Sequence, residues 1–338
     1  MFQTLLEKLA RREDLSAAES ASAMAAIMDG TVSDAALAGF LTALAMKGEQ
    51  PAEIVGLART MRERAVPLSK TYPDAVDLCG TGGDRSCTFN VSSVASIVVA
   101  GCGVRVAKHG NRSVSSRCGS ADLFDALGVH AATTPELVER MLDEAGMAFL
   151  FARVFHPSMR HAAGARQALG LRTAFNLLGP LTNPVRPRWQ IVGVPRPELT
   201  EMTARSLMLL GAERAWVVHG ADGLDEISTV GYTKVSECRQ GTVNTFYLHP
   251  ADYGLARAAA KSLEGGDVEV NAAIARSVLG GTAGPARDIV LFNAGAALLV
   301  SGHAATVRDG ITMAEDAIDS GRARGVLAKM AALAGGTP

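Results

Sequence analysis

The stretch DLCGTGGDRSCTFNVSSVASIVVAGCG, residues 77–103, decides the fold. It runs from a short apolar segment through a bare glycine loop into an apolar stretch long enough for a helix, the order of a strand–loop–helix unit. Gly80, Gly82 and Gly83 let the backbone approach an anion closely, and successive N–H groups can ring its oxygens. The helix that follows adds its N-terminal dipole, while Asp84, Thr88, Asn90, Ser92 and Ser93 crowd the same turn with polar side chains. No G-K-[ST] ending and no G-x-G-x-x-G spacing is present, so neither common nucleotide fingerprint applies. Taken alone, the loop reads equally as a phosphate cradle or as a tight turn with a capped helix.

Outward from this loop the chain changes character. Before it, "LSAAESASAMAAIMDG", "SDAALAGFLTALAMKG" and "QPAEIVGLARTMRERA" read as helices. The first opens on Ser16 and Glu19, a capping box, and the third places Pro51 at its first position, where a missing N–H costs nothing. "VPLSKTYP", with two prolines, reads as a linker. After it, short apolar runs ("AVDLC", "VRVAK", "MAFLFA", "WQIVGV", "AWVVHG") alternate with helical stretches. That alternation predicts an α/β fold: a small all-helical domain plus a larger α/β domain with a mainly parallel central sheet and helices on both faces. The expected division is 1–69 helical, joined by roughly 165–188, with 73–164 and 189–338 forming the α/β part.

Composition narrows the function. The 338 residues carry 33 basic and 34 acidic side chains, so no basic field exists to attract nucleic acid or anionic lipid. An anionic ligand must be held by local groups. Five scattered cysteines without a C-x-x-C pair fit a reducing compartment and exclude a zinc framework. The opening residues turn charged too soon for a signal peptide, and no apolar run reaches spanning length. A cytoplasmic enzyme of small molecules is expected.

Four polar clusters follow the predicted strands: "GTGGD", "KHGNRSVSS", "FARVFHPSMRH" and "HGADGLDE". In open α/β sheets ligands sit outside the carboxyl ends of the strands, so these segments should converge on one crevice. Lys108 and Arg112 offer charged donors there, and Ser115, Ser116 and Ser120 offer hydroxyls. Charge-assisted bonds of about 1.5–3 kcal/mol each would hold a diphosphate without a basic surface. Asp225 and Glu226 would repel such a ligand unless a hard cation lies between, and Mg²⁺ favours one or two carboxylates plus substrate oxygens. Further on, Arg166, Arg172 and Asn176 approach the domain junction with Gly179 and Pro180, where a guanidinium can pair with a substrate carboxylate.

The motifs "GTGGD…TFNVSS", "KHGNRSVSSRCGSAD", "RTAFNLLGPLTNP" and "DGLDE", in this order, resemble the anthranilate phosphoribosyltransferase family over nearly the whole chain. The resemblance implies a homodimer of the nucleoside phosphorylase/phosphoribosyltransferase type. Its reaction joins anthranilate to 5-phosphoribosyl 1-diphosphate in tryptophan biosynthesis, with Mg²⁺ and loss of pyrophosphate. Gly80, Gly83, Asp84, Thr88, Asn90, Ser92, Ser93, Lys108 and Ser120 then match diphosphate contacts. Asn111, Arg112, Ser115 and Ser116 belong to the loop that closes over them. Ser92, Asp225 and Glu226 match the metal positions, and Gly80, His109, Asn111, Arg166, Gly179 and Pro180 the anthranilate side.

Three departures from the family pattern stand out. Arg85 replaces a glycine of the loop, Gly164 a proline two residues before Arg166, and Arg153 another proline. They imply a normal phosphoribosyl pocket and an altered acceptor channel. Two rivals share the fold. A pyrimidine nucleoside phosphorylase needs a D-K-H-S-T-G-G loop that the chain lacks, and a nucleic-acid-binding, non-catalytic paralogue needs a basic stripe.

Overall fold

The computed structural model describes residues 2–83, 86–112 and 117–336; Asp84, Arg85, Ser115 and Ser116 lie outside them. The chain begins with helices α1 (Phe2–Ala10), α2 (Ala17–Met28), α3 (Asp34–Lys47) and α4 (Pro51–Glu63). The Ser16 capping box is formed: Ser16 N–H donates to Glu19 (2.8 Å) and Glu19 N–H to Ser16 Oγ (3.2 Å). Gly48, at φ 91°, ends α3 in a conformation that only glycine adopts cheaply. Alternation then sets in with β1 (Val76–Gly80), α5 (Val91–Gly101), β2 (Val106–Gly110), α6 (Ser120–Ala126), α7 (Pro135–Glu144) and β3 (Met147–Phe151). Helices α8 (Ala152–Phe155), α9 (Ala163–Leu169) and α10 (Ala174–Leu181) interrupt it before β4 (Trp189–Gly193), α11 (Leu199–Leu209) and β5 (Arg214–Gly220).

A hairpin of β6 (Thr233–Arg239) and β7 (Thr242–Leu248) follows, then helices α12 (Val268–Leu279), α13 (Pro285–Val300), α14 (Val307–Asp319) and α15 (Arg322–Leu333). Among the described residues the strands form one sheet in the order β3-β2-β1-β4-β5-β6-β7. The first five are parallel, and the hairpin adds the antiparallel edge. The order reverses between β1 and β4. That places a crevice beyond their carboxyl ends, where Gly80 lies opposite Gly193.

The two faces of the sheet carry separate cores. On one, α5 is buried almost throughout and packs against α13 and α15. On the other, Val192, Val194, Ala215 and Val217 share a single core with α11, α10 and the N-terminal helices, among them Phe40, Leu44, Ile54 and Leu57. Ala165 of α9 and Leu178 of α10 sit in that same core. This arrangement sets α10 against β2, with the Gly179 carbonyl beside His109. Among the described residues no helix is long and apolar enough to cross a membrane.

Candidate active site

The crevice is organised around Asp225. Its Oδ2 accepts the Gly82 N–H at 2.8 Å, so the carboxylate fixes the turn of the glycine loop while Thr81 N–H donates to the Gly193 carbonyl (2.9 Å). Gly82 and Gly83 are left-handed (φ 66° and 75°), a conformation that glycine adopts at little cost. A Cβ on Gly80 would lie 2.3 Å from Asp225 Oδ2, and one on Gly193 only 1.6 Å from the Asp225 carbonyl oxygen. Both glycines are therefore space for Asp225. Because the obstacle at position 193 is backbone, Gly193→Ala should cost about 3 kcal/mol through overpacking, read as a lower urea midpoint. An unchanged midpoint would show that the 222–226 turn yields freely.

Glu226 accepts the Ser92 N–H at the start of α5 (3.1 Å), and Lys108 Nζ reaches Ser92 Oγ at 3.3 Å. Lys108 is only 2% exposed and also donates to the Leu78 carbonyl, a cation sunk beneath the crevice floor. Burial and the neighbouring Asp225 carboxylate raise the Glu226 pKa well above the ordinary carboxylate range. Two adjacent carboxylates that resist ionising together are a hard-oxygen pair suited to a divalent cation. Among the described residues no group of three or more His, Cys, Asp or Glu side chains could hold a metal, so a cation on this pair would keep water or other oxygens in its shell. The pair fits Mg²⁺ on donor chemistry.

The other residues expected to contact a diphosphate lie at the starts of α5 and α6 and just before them. Asn90 donates to the Cys118 carbonyl (3.2 Å) and accepts from Asn271 of α12 (3.0 Å), so three segments meet at the start of α5. Thr88 lies against Ser86 (3.1 Å between hydroxyls), and Ser93 is buried in the first turn of α5. Ser120 opens α6, its hydroxyl on the Asn111 carbonyl (3.2 Å). Arg112, also expected on the diphosphate side, is paired with α6. Its guanidinium pairs with Asp122 and Asp125 (2.7 Å) of α6 and lies 5.8 Å from the Phe151 ring. Asp222 accepts from Ser228 (2.9 Å).

On the acceptor side His109 is buried, and its Nδ1 lies 2.9 Å from the Gly179 carbonyl, to which it must donate. Its Nε2 has no partner among the described residues, and burial together with His156 lowers its pKa to about 3. His156, 5.4 Å away ring to ring, donates from Nε2 to the Thr182 carbonyl (2.9 Å). The Pro180 carbonyl accepts from Gln190 (2.9 Å), which ties α10 to β4. Arg166 stacks its guanidinium 5.6 Å from the Phe175 ring, its pKa lowered by burial. Arg172 leans over Gly83, its Nη2 3.5 Å from Thr81 Oγ1. At Gly164, Asp34 fills the space of a side chain, 2.5 Å from where a Cβ would lie. Asp34 must swing away before a proline fits there.

Sequence reasoning missed Gly193, His156, Asn271 and the buried Asp77. Asp77 accepts the His109 N–H (3.2 Å) and the Asn183 side chain (2.9 Å), joining β1, β2 and the α10–β4 connection.

A two-part glycosyl transferase matches this geometry. Residues 3–65 match the helical bundle domain of the glycosyl transferase family, and residues 72–324 its a/b domain. The chain is 54% identical to the anthranilate phosphoribosyltransferase of Moorella thermoacetica over 98% of both chains. It superposes on the crystal structure of the Thermus thermophilus anthranilate phosphoribosyltransferase with a TM-score of 0.93 and 44% identity, covering 98% of this chain and 99% of that one. The Saccharomyces cerevisiae enzyme in complex with PRPP and Mg gives 0.90 and 28%, covering 99% and 98%. The chain belongs to the anthranilate phosphoribosyltransferase family.

Proposed function

We propose that the crevice between β1 and β4 transfers the phosphoribosyl group of 5-phosphoribosyl 1-diphosphate to the amine of anthranilate, releasing pyrophosphate, with the residues above in defined roles. The observation that carries this reading is the junction of three groups at one switch point. The Gly82 N–H rests on Asp225, Glu226 on the Ser92 N–H, and Lys108 beneath both. The yeast relative solved with PRPP and Mg supports the same ligands for this chain.

As pyrophosphate leaves the anomeric carbon, positive charge grows on the ribose and negative charge on the leaving group. The chain's task is to neutralise the second and to position the amine against the first. Gly80, Gly83, Thr88, Ser93 and Ser120 hold the diphosphate, and Asp84, Ser115 and Ser116 belong to the same reading. Lys108 keeps Ser92 and the floor of the site positively biased. Mg²⁺ on Asp225, Glu226 and Ser92 supplies charge neutralisation of the departing pyrophosphate when bound.

An aromatic amine is unprotonated at neutral pH, so the site needs no strong base. His109, held neutral, serves as wall and anchor for Gly179. Arg166 is poised for the anthranilate carboxylate, with Asn111, Gly179 and Pro180 around the ring. In this reading residues 165–188 are part of the helical unit, the enzyme is a homodimer, and it works in the cytoplasm.

The test is loss of anthranilate fluorescence on mixing with 5-phosphoribosyl 1-diphosphate. A Mg²⁺-dependent loss is expected. Calorimetric binding of the diphosphate with no fluorescence loss would sink the acceptor assignment, and absence of both would sink the function.

A further inference from the structure

We propose a second anion site, remote from the crevice, in which Arg59, Arg62, Arg186 and Arg188 bind a phosphate-type oxyanion. A cavity of about 540 Å³ opens where the end of α4, the turn before β4 and the end of α11 meet. Arg59, Arg62 and Glu63 line it from α4, and Arg186 and Arg188 from the turn. Arg188 directly precedes β4, so this is the amino edge of the sheet, opposite the crevice. The site is independent of the residue roles assigned above.

Charge is the first argument. Four guanidinium groups face one lining carboxylate, Glu63. Among the described residues no carboxylate lies within ion-pair distance of Arg59, Arg62 or Arg186, whereas Arg188 faces Glu213 at 3.7 Å. Arg62 is mostly buried and commits two donors to helix ends, Nε to the Leu181 carbonyl (2.6 Å) and Nη1 to that of Leu210 (3.1 Å). A guanidinium has five N–H groups, so three are left over. Its pKa is pushed down to about 10 by burial and by the charge of Arg186, and no carboxylate opposes that shift.

Backbone is the second argument. Arg186 is left-handed (φ 54°) and stands directly before Pro187, a position costly for a branched or long side chain. Its guanidinium donates to the Arg62 carbonyl (3.1 Å), which brings two like charges together. A helix staple by Arg62 alone explains neither Arg59 nor the strain at Arg186. A tetrahedral oxyanion held between the forks accounts for the gathering of Arg59 and Arg186 beside Arg62.

The experiment is calorimetric titration of the full chain without Mg²⁺, with inorganic phosphate and separately with pyrophosphate. Wild type, Arg59→Ala/Arg186→Ala and Ser92→Ala are compared. Two binding events are expected in wild type. The double variant should lose the remote one, weakened at least tenfold for each arginine removed, and keep the crevice event. Ser92→Ala should keep the remote event, and whichever anion binds it more tightly identifies the source. Arg59 and Arg186 are exposed, so the double variant should retain full transfer activity, which verifies its fold. Arg59→Ala alone serves if it does not. An isotherm of the variant superimposable on wild type for both anions overturns the proposal.

Discussion

Asparagine at Asp225 is expected to lower kcat/KM for the transfer by roughly a hundred- to a thousand-fold, the range seen when one preorganised electrostatic group is removed from an active site. The substitution separates two duties of one side chain. Asparagine keeps an oxygen able to accept the Gly82 N–H, which Asp225 holds at 2.8 Å, so the glycine loop should stay in place. What disappears is the negative charge beside Glu226. Glu226 would then ionise more readily, because the Asp225 carboxylate is one of the two causes that raise its pKa. Fold stability should accordingly be unchanged or slightly higher, while the Mg²⁺ concentration giving half-maximal rate rises at least about tenfold. Asp225→Glu should not rescue, since Gly80 and Gly193 leave no room for another methylene. A Mg²⁺ titration of the rate, with a urea midpoint alongside, checks all three. Activity of Asp225→Asn within a few-fold of wild type at saturating Mg²⁺ would remove Asp225 from the metal site.

Much of this arrangement was legible in the residues themselves. Capping boxes, Pro51 and the terminal glycines mark the N-terminal helices, because helix ends need local partners that sequence displays. The parallel strands were legible as apolar runs buried on both faces. The β6–β7 hairpin was not, although its signal exists. Alternation in "TKVSECR" and "TVNTFYL" flanks Gln240-Gly241, both left-handed as a two-residue turn demands. Expecting parallel strands hid an antiparallel edge.

Within the site, the charged and hydroxyl groups declared themselves, but their partners across the fold did not. Nothing near Arg112 in the loop announces Asp122 and Asp125 as its partners, since that depends on how α6 turns back. Gly193 looked like any glycine after a strand. Only the register that sets it opposite Gly80 makes it the space into which Asp225 fits.

The buried imidazole pair should make the variant His156→Gln less stable than wild type near pH 7, yet close the gap steadily as pH falls. Glutamine can preserve the Nε2 donor that His156 gives to the Thr182 carbonyl, while losing ring packing against His109. His156 is held neutral, its pKa lowered to about 4 by burial, and its Nδ1 finds no partner among the described residues. A proton there would create a buried N–H⁺ with nothing to accept it. The folded pKa lies below the ordinary 6.5, so the unfolded chain takes up the proton first. Stability due to neutral His156 is thus complete above about pH 6.5 and drains as pH falls toward 4, by up to about 1.4 kcal/mol per pH unit.

The wild-type profile alone conceals this. Asp77, raised to about 6 by burial, and Glu226, also raised, carry the opposite sign, so the fold regains their contribution as acid protonates them. Comparing variant with wild type cancels those carboxylates. By pH 4 the difference should have moved by roughly 3 kcal/mol in favour of His156→Gln. His109→Asn, which can keep the donor to Gly179, should behave alike, its imidazole being lowered further still, to about 3. Urea midpoints at about pH 7, 5.5 and 4.5 decide the matter. A difference that stays constant with pH would mean that these imidazoles accept protons in the folded state as easily as in the unfolded one.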